Sequence, residues 1–229
     1  MRVDAIVFDK DGTLFDFATT WAAWAQAFLM RAAGGDRDRA QALGRHIGFD
    51  LDQARFDADS IAIAGTSGQV ADALAPHLPE FDPGALLHLM NAEAEAAPQA
   101  EAVPLVPLLD LLRGRGLRLG LATNDAEAPA RAHLGAAGVL DRFDFIAGFD
   151  SGHGAKPGPG QLLAFARAVS VAPGRVAMIG DSPHDLTAGR AAGMITVAVL
   201  TGLTPAARLA PLADAVLPDI GHIPAWLDG

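Results

Sequence analysis

Near the start of the chain apolar side chains crowd into one short run, Val3, Ala5, Ile6, Val7 and Phe8, and two aspartates, Asp9 and Asp11, follow at once. A run of that length, ended by a turn residue, predicts a buried strand. Beyond residue 100 such runs return near 117–122, 143–147, 176–179, 195–199 and 215–217. Segments with helical spacing lie between them, near 105–113, 128–136, 161–170, 185–192 and 205–209. Strands alternating with helices predict an α/β fold, a parallel sheet covered by helices.

Residues 16–98 follow another pattern, helical throughout apart from one short strand-like piece at 60–64. Trp21, Trp24, Phe28 and Leu29 recur at helical spacing, a stripe that predicts the core of a helical unit. Asp82 followed by Pro83 predicts a capped helix start. The chain therefore divides into an α/β core of 1–15 and 99–229 and a mostly α-helical insert of 16–98, with Pro98 and Pro104 bracketing the return. Asp11-Gly12 taken alone reads equally well as a two-residue hairpin turn. The helical spacing after Phe15 argues against a returning strand there.

Composition narrows the function. The 229 residues are 51% hydrophobic and 19% charged, enough for a core of ordinary size. A net charge of −10 with no basic stripe argues against a nucleic-acid partner, and none is expected. With no cysteine there are no thiolate nucleophiles or cysteine-bound metals, which suits a reducing compartment. The N-terminal run is too broken by charge for an export signal, and glycines, threonines and a proline break the uncharged stretch 191–207, so no membrane span is expected. A soluble cytoplasmic protein follows as the expectation.

In a parallel sheet ligands gather beyond the carboxyl ends of the strands, so the polar residues just past each apolar run are the candidates. They are Asp9 and Asp11 after the first run, Thr123 and Asn124 after the second, and Asp181, Ser182 and Asp185 after Gly180; a glycine-rich loop adds Lys156. Each has an ordinary structural alternative. Thr123-Asn124-Asp125 would serve as a helix cap, Ser182-Pro183-His184-Asp185 as a capped helix start, and Lys156 as a solvated loop lysine. Their conjunction points to chemistry. Four carboxylates brought together raise one another's pKa unless a cation compensates them, and an all-oxygen donor set favours magnesium over zinc or copper.

In order and context these residues resemble the four motifs of the haloacid dehalogenase superfamily: Asp-x-Asp-Gly-Thr at Asp9 to Thr13, Thr-Asn at Thr123, Lys156, and Gly-Asp-Ser-x-x-Asp from Gly180 to Asp185. The insert after the first motif is similar to the helical cap domain of the phosphoglycolate phosphatase-like branch, and the strands to that family's Rossmann-like core. The resemblance implies that Asp9 is the nucleophile that takes a phosphoryl group. It makes Asp11 the acid and then the base, with a pKa raised by its anionic surroundings. Thr123 and Lys156 would hold the phosphoryl oxygens, with Gly12, Thr13 and Asn124 also at the substrate. Magnesium would sit on Asp9, the Asp11 main-chain carbonyl and Asp181, with Asp185 a ligand or a support. Dehalogenases of the superfamily lack an aspartate at the position of Asp11, so phosphate chemistry is favoured. One departure stands out: relatives commonly read Lys-Pro-x-Pro-Asp where this chain has Lys156-Pro157-Gly158-Pro159-Gly160.

The expected activity is magnesium-dependent hydrolysis of a small phosphorylated metabolite, phosphoglycolate or a sugar phosphate, by a monomer or homodimer. Phosphomutase activity of the same branch and a catalytically silent binding protein are the alternatives. Selectivity is expected from the insert, where Arg45, His46 and Arg55 are candidate contacts for a substrate carboxylate or else solvated side chains. His153 and His184 flank motif residues without metal-ligand spacing.

Overall fold

A computed structural model describes residues 3–57 and 59–229. The first apolar run forms β1 (Ala5–Phe8), after which the chain enters α1 (Phe17–Ala32), α2 (Arg37–His46), β2 (Phe49–Asp50), β3 (Arg55–Phe56), α3 (Ile61–Ala64), α4 (Ser67–Leu74) and α5 (Pro83–Glu95). It continues through α6 (Leu105–Gly114), β4 (Arg118–Ala122), α7 (Glu127–Ala136), β5 (Phe145–Ala147), α8 (Gly160–Ala168), β6 (Val176–Gly180) and α9 (Pro183–Ala191). The last elements are β7 (Ile195–Val199), α10 (Ala206–Leu209), β8 (Ala215–Leu217) and α11 (Ile223–Asp228). Two compact units result, Met1–Phe17 with Ala100–Gly229, and Ala18–Gln99.

In the first unit six strands form one sheet in the order β5-β4-β1-β6-β7-β8, every pairing parallel. Because successive side chains of a strand point to opposite faces, β1 divides its apolar residues between two cores. Ile6 and Phe8 pack with Leu105, Leu109, Ala130 and Leu134 of α6 and α7, whereas Ala5 and Val7 pack with Leu162 and Phe165 of α8 and Ala188 of α9. Helices thus cover both faces, the Rossmann-like α/β arrangement expected. A hairpin at Asp11-Gly12 is excluded, since β1 pairs only in parallel.

In the second unit α1 buries Trp24, Phe28 and Leu29; the Trp24 and Phe28 rings stack at 5.4 Å, and Trp24 Nε1 donates to the Met90 carbonyl at 3.0 Å. Asp82 caps α5 by accepting from the Ala85 N–H at 2.9 Å, with Pro83 in the first turn. The strand-like piece at 60–64 is instead the single helical turn α3: Ser60 accepts from the Ala62 N–H at 3.1 Å, and the alternating Ile-Ala-Ile-Ala of one turn mimics a strand. The β2–β3 hairpin was not foreseen, because two residues per strand leave no period to read. Among the described residues no helix is long and apolar enough to cross a membrane.

Candidate active site

Sheet register builds the site. Phe8 stands opposite Leu121 of β4 and Ile179 of β6, so the chains leave the three central strands level with one another, at Asp9, Ala122 and Gly180. The polar residues that follow, Asp9, Thr123 and Asp181, therefore emerge on one edge, where strand order reverses around β1. Asp9 is held by its N–H donating to the Ile179 carbonyl at 2.9 Å, and Thr123 by its N–H donating to Ala147 at 3.0 Å.

Side chains separated by most of the sequence meet here. Lys156 Nζ donates to Asp9 Oδ1 at 2.5 Å and to Asp185 Oδ1 at 2.6 Å. Oxygens of Asp9, Asp181 and Asp185 lie within 4.8 Å of one another, and all three residues are buried. Asp185 Oδ2 is taken up by the N–H of Ser182 at 3.0 Å and its hydroxyl at 2.7 Å, the capping box that begins α9. The cap and the site coexist in the same residues.

Asp181 is enclosed by glycines. Gly12, at φ 77°, would set a Cβ 2.5 Å from Asp181 Oδ2, and a Cβ on Gly202 would fall still closer to the same oxygen. Thr201 ties the loop after β7 to this floor by donating its hydroxyl to the Gly12 carbonyl at 2.6 Å.

The lysine loop is clamped from behind. Asn124 accepts from the Lys156 N–H and donates to the Lys156 carbonyl, both at 2.9 Å, so its amide group faces that main chain. Gln161 Nε2 bridges the carbonyls of Thr123 at 3.0 Å and Gly154 at 2.9 Å. Gly160 packs against the loop so closely that a Cβ there would lie 2.0 Å from the His153 carbonyl oxygen. The loop passes too close to α8 for any side chain. Thr123 Oγ1 accepts from the Asp125 N–H at 3.0 Å and keeps its proton for another partner, and the Thr13 hydroxyl is buried with no hydrogen-bond partner. Those three residues do not cap the first turn of α7; its first N–H, that of Glu127, donates instead to Asp150 Oδ1 at 2.9 Å.

Charge in the cluster is unbalanced. Burial lifts the Asp9 carboxyl to about 7; Lys156 opposes the rise, and Asp185 and Asp11 reinforce it. Asp181 is raised for the same reasons, burial first and then Asp185 and Asp9. Burial pulls the Lys156 ammonium down, but Asp185 and Asp9 outweigh it and hold it above its ordinary value. One lysine therefore does not neutralise the carboxylates, and an all-oxygen donor set with surplus negative charge fits a divalent cation.

Asp11 is not one of the three clustered carboxylates: its Oδ1 accepts from Lys10 Nζ at 2.8 Å, so a cation lies against it. Lys10, Asp125, His133, Gln161, Thr201 and Gly202 were all missed in the sequence. Thr201 is the first polar residue past β7, one position further out than Thr123 past β4, so the strand-end rule carried past Leu200 would have found it. Lys10 prolongs the Ile6, Phe8 row and His133 shares the inner face of α7 with Ala130 and Leu134, yet neither signal announces a partner 123 residues away. Arg45, His46 and Arg55 are exposed, His46 stacked on His77 at 3.6 Å; His153 is exposed, and the His184 Nδ1 is buried and unpartnered.

The chain matches the family model of haloacid dehalogenase-like hydrolases over residues 3–193. It is 30% identical over 231 residues to phosphoglycolate phosphatase of Chromobacterium violaceum, covering 97% of this chain and 95% of that one. To phosphoglycolate phosphatase of Rhodospirillum rubrum it is 38% identical over 122 residues, 52% of this chain and half of the other protein's length. The crystal structure of CbbY from Rhodobacter sphaeroides in complex with phosphate superposes with a TM-score of 0.72 at 20% identity, covering 99% of this chain and all of that one, and so shares the fold. With motif residues from four segments joined at one sheet edge, the chain is an enzyme of the haloacid dehalogenase-like hydrolases, in their phosphoglycolate phosphatase-like branch.

Proposed function

We propose that this hydrolase is a magnesium-dependent phosphatase of small phosphate monoesters, working through a phosphoryl group carried transiently on Asp9. The observation that carries the reading is the Lys156 ammonium bridging Asp9 and Asp185 beside Asp181, a buried cation and carboxylates at the edge of a parallel sheet. In the reaction an Asp9 oxygen attacks phosphorus, the bond to the ester oxygen breaks, and that oxygen leaves with the electron pair and takes a proton from Asp11. Asp11 then accepts a proton from the water that attacks the phosphoryl group, which regenerates Asp9 and releases inorganic phosphate.

Lys156 and the Thr123 hydroxyl would hold the phosphoryl oxygens, and Thr13, buried without a partner, has a hydroxyl to offer. Magnesium would be held by Asp9, Asp181 and the Asp11 carbonyl, and would supply positive charge against the phosphoryl oxygens. Asp185, with both oxygens already accepting hydrogen bonds, fits the supporting role, orienting Lys156. Phosphoglycolate leads the candidate substrates because the relatives just named carry that activity in their names.

The test is release of inorganic phosphate from a panel of metabolite monoesters, phosphoglycolate and sugar phosphates included, by the full chain with magnesium and again with chelator. Turnover with magnesium and none with chelator is expected. Turnover that ignores chelation, or no hydrolysis of any monoester, would overturn the reading.

A further inference from the structure

Between the two aspartates of the first motif lies a lysine with no solvent exposure at all, a costly place for a charge unless it is paired. Lys10 Nζ donates to Asp11 Oδ1 at 2.8 Å, lies 3.0 Å from His133 Nδ1, and is 3.4 Å from Asp125 Oδ2. An ammonium can only donate, so His133 Nδ1 accepts, which places the ring's single proton on Nε2 and leaves the imidazole neutral. Asp125 and His133 are themselves buried, at 5% and 1% exposure. Asp125 is fixed in turn by the Ala126 N–H donating to its Oδ1 at 2.8 Å. The ammonium thus has two anchors in the rigid interior, one on the loop after β4 and one on α7, and its third contact is the carboxylate of Asp11.

We infer that Lys10 is a positioning residue for leaving-group protonation: anchored by Asp125 and His133, its ammonium orients the Asp11 carboxyl group. This inference rests on the proposed phosphatase reaction. Asp11 lies outside the triad of Asp9, Asp181 and Asp185, and its carboxylate accepts from Lys10. A carboxyl group that must hand a proton to one ester oxygen gains from a fixed orientation, because proton transfer requires hydrogen-bond reach of that oxygen. The chemistry makes a selective demand. An alkoxide leaves poorly without a proton, whereas an electron-poor phenolate leaves without one.

The experiment compares kcat/KM, which reports the steps through transfer to Asp9, for an alkyl phosphate and for p-nitrophenyl phosphate. The proteins are the wild type, Lys10→Met, and Lys10→Met with Asp125→Asn. The double variant removes the ammonium together with the fully buried of the two carboxylates it pairs with, so Asp125 is not left as an unpaired buried charge. Both variants should lose at least about tenfold more kcat/KM on the alkyl ester than on the aryl ester. Equal losses on the two esters, no loss on either, or failure of both variants to fold would make Lys10 a structural group and overturn the proposal. If the wild type hydrolyses neither ester, it is the phosphatase reading that fails.

Discussion

At the scale of single residues, two buried carboxyl groups have raised pKa values for one shared reason and different consequences. Asp125 is lifted from 3.8 to about 6, chiefly by burial and then by Asp11, against the pull of Lys10. A carboxyl whose folded value is raised favours the native state when protonated. Its contribution is therefore full below pH 3.8 and is lost as pH rises through about 6. Urea midpoints measured between pH 4 and 7 should fall more steeply with pH for the wild type than for Asp125→Asn, and parallel curves would contradict the assignment. Asp181 is a second such group, a buried carboxyl raised by burial, Asp185 and Asp9, and a proposed magnesium ligand. Asp181→Asn should raise the thermal midpoint of the metal-free protein, because it removes a charge the fold does not compensate, and should abolish any rise on adding magnesium.

At the scale of elements, the lysine loop approaches the start of α8 so closely that a Cβ on Gly160 would lie 2.0 Å from the His153 carbonyl oxygen. Gly160→Asp, which would complete the motif that the sequence resemblance leads one to expect, should therefore damage this chain. A stability loss of about 1–3 kcal/mol is expected from the forced backbone shift, with a lowered kcat as Lys156 moves. A variant as stable and active as the wild type would show that the loop yields. The same geometry marks where sequence could be read. β1, β4 and β6 were legible because each is an unbroken apolar run ended by a polar residue, and their strand ends delivered Asp9, Thr123 and Asp181. The turn at Ile61–Ala64 was misread because one helical turn is too short to display its period, and β2 and β3 because two residues display none. Lys10, Asp125 and His133 stayed hidden for another reason: their meaning lies in contacts across the sheet, and each alone is an ordinary polar residue.

At the scale of the whole molecule, folding gathers carboxylates with too little positive charge at the open edge of a six-stranded sheet, and a divalent cation would relieve that strain on stability. Binding to the native state alone stabilises by about 2.7 kcal/mol when the ion is at a hundred times its dissociation constant. For a chain of this length that corresponds to a rise in thermal midpoint of roughly 5–10 °C. Scanning calorimetry with magnesium and with chelator should show it in the wild type, and coincident melting curves would argue against the metal site. The most direct trial of the enzyme reading is inorganic phosphate release by Asp9→Asn, at matched folding, from the ester the wild type turns over best. A loss of at least about a thousandfold is expected, since the proposed reaction carries the phosphoryl group on the Asp9 carboxylate. Turnover near the wild-type rate would mean that Asp9 is not the nucleophile and that the buried cluster serves another chemistry.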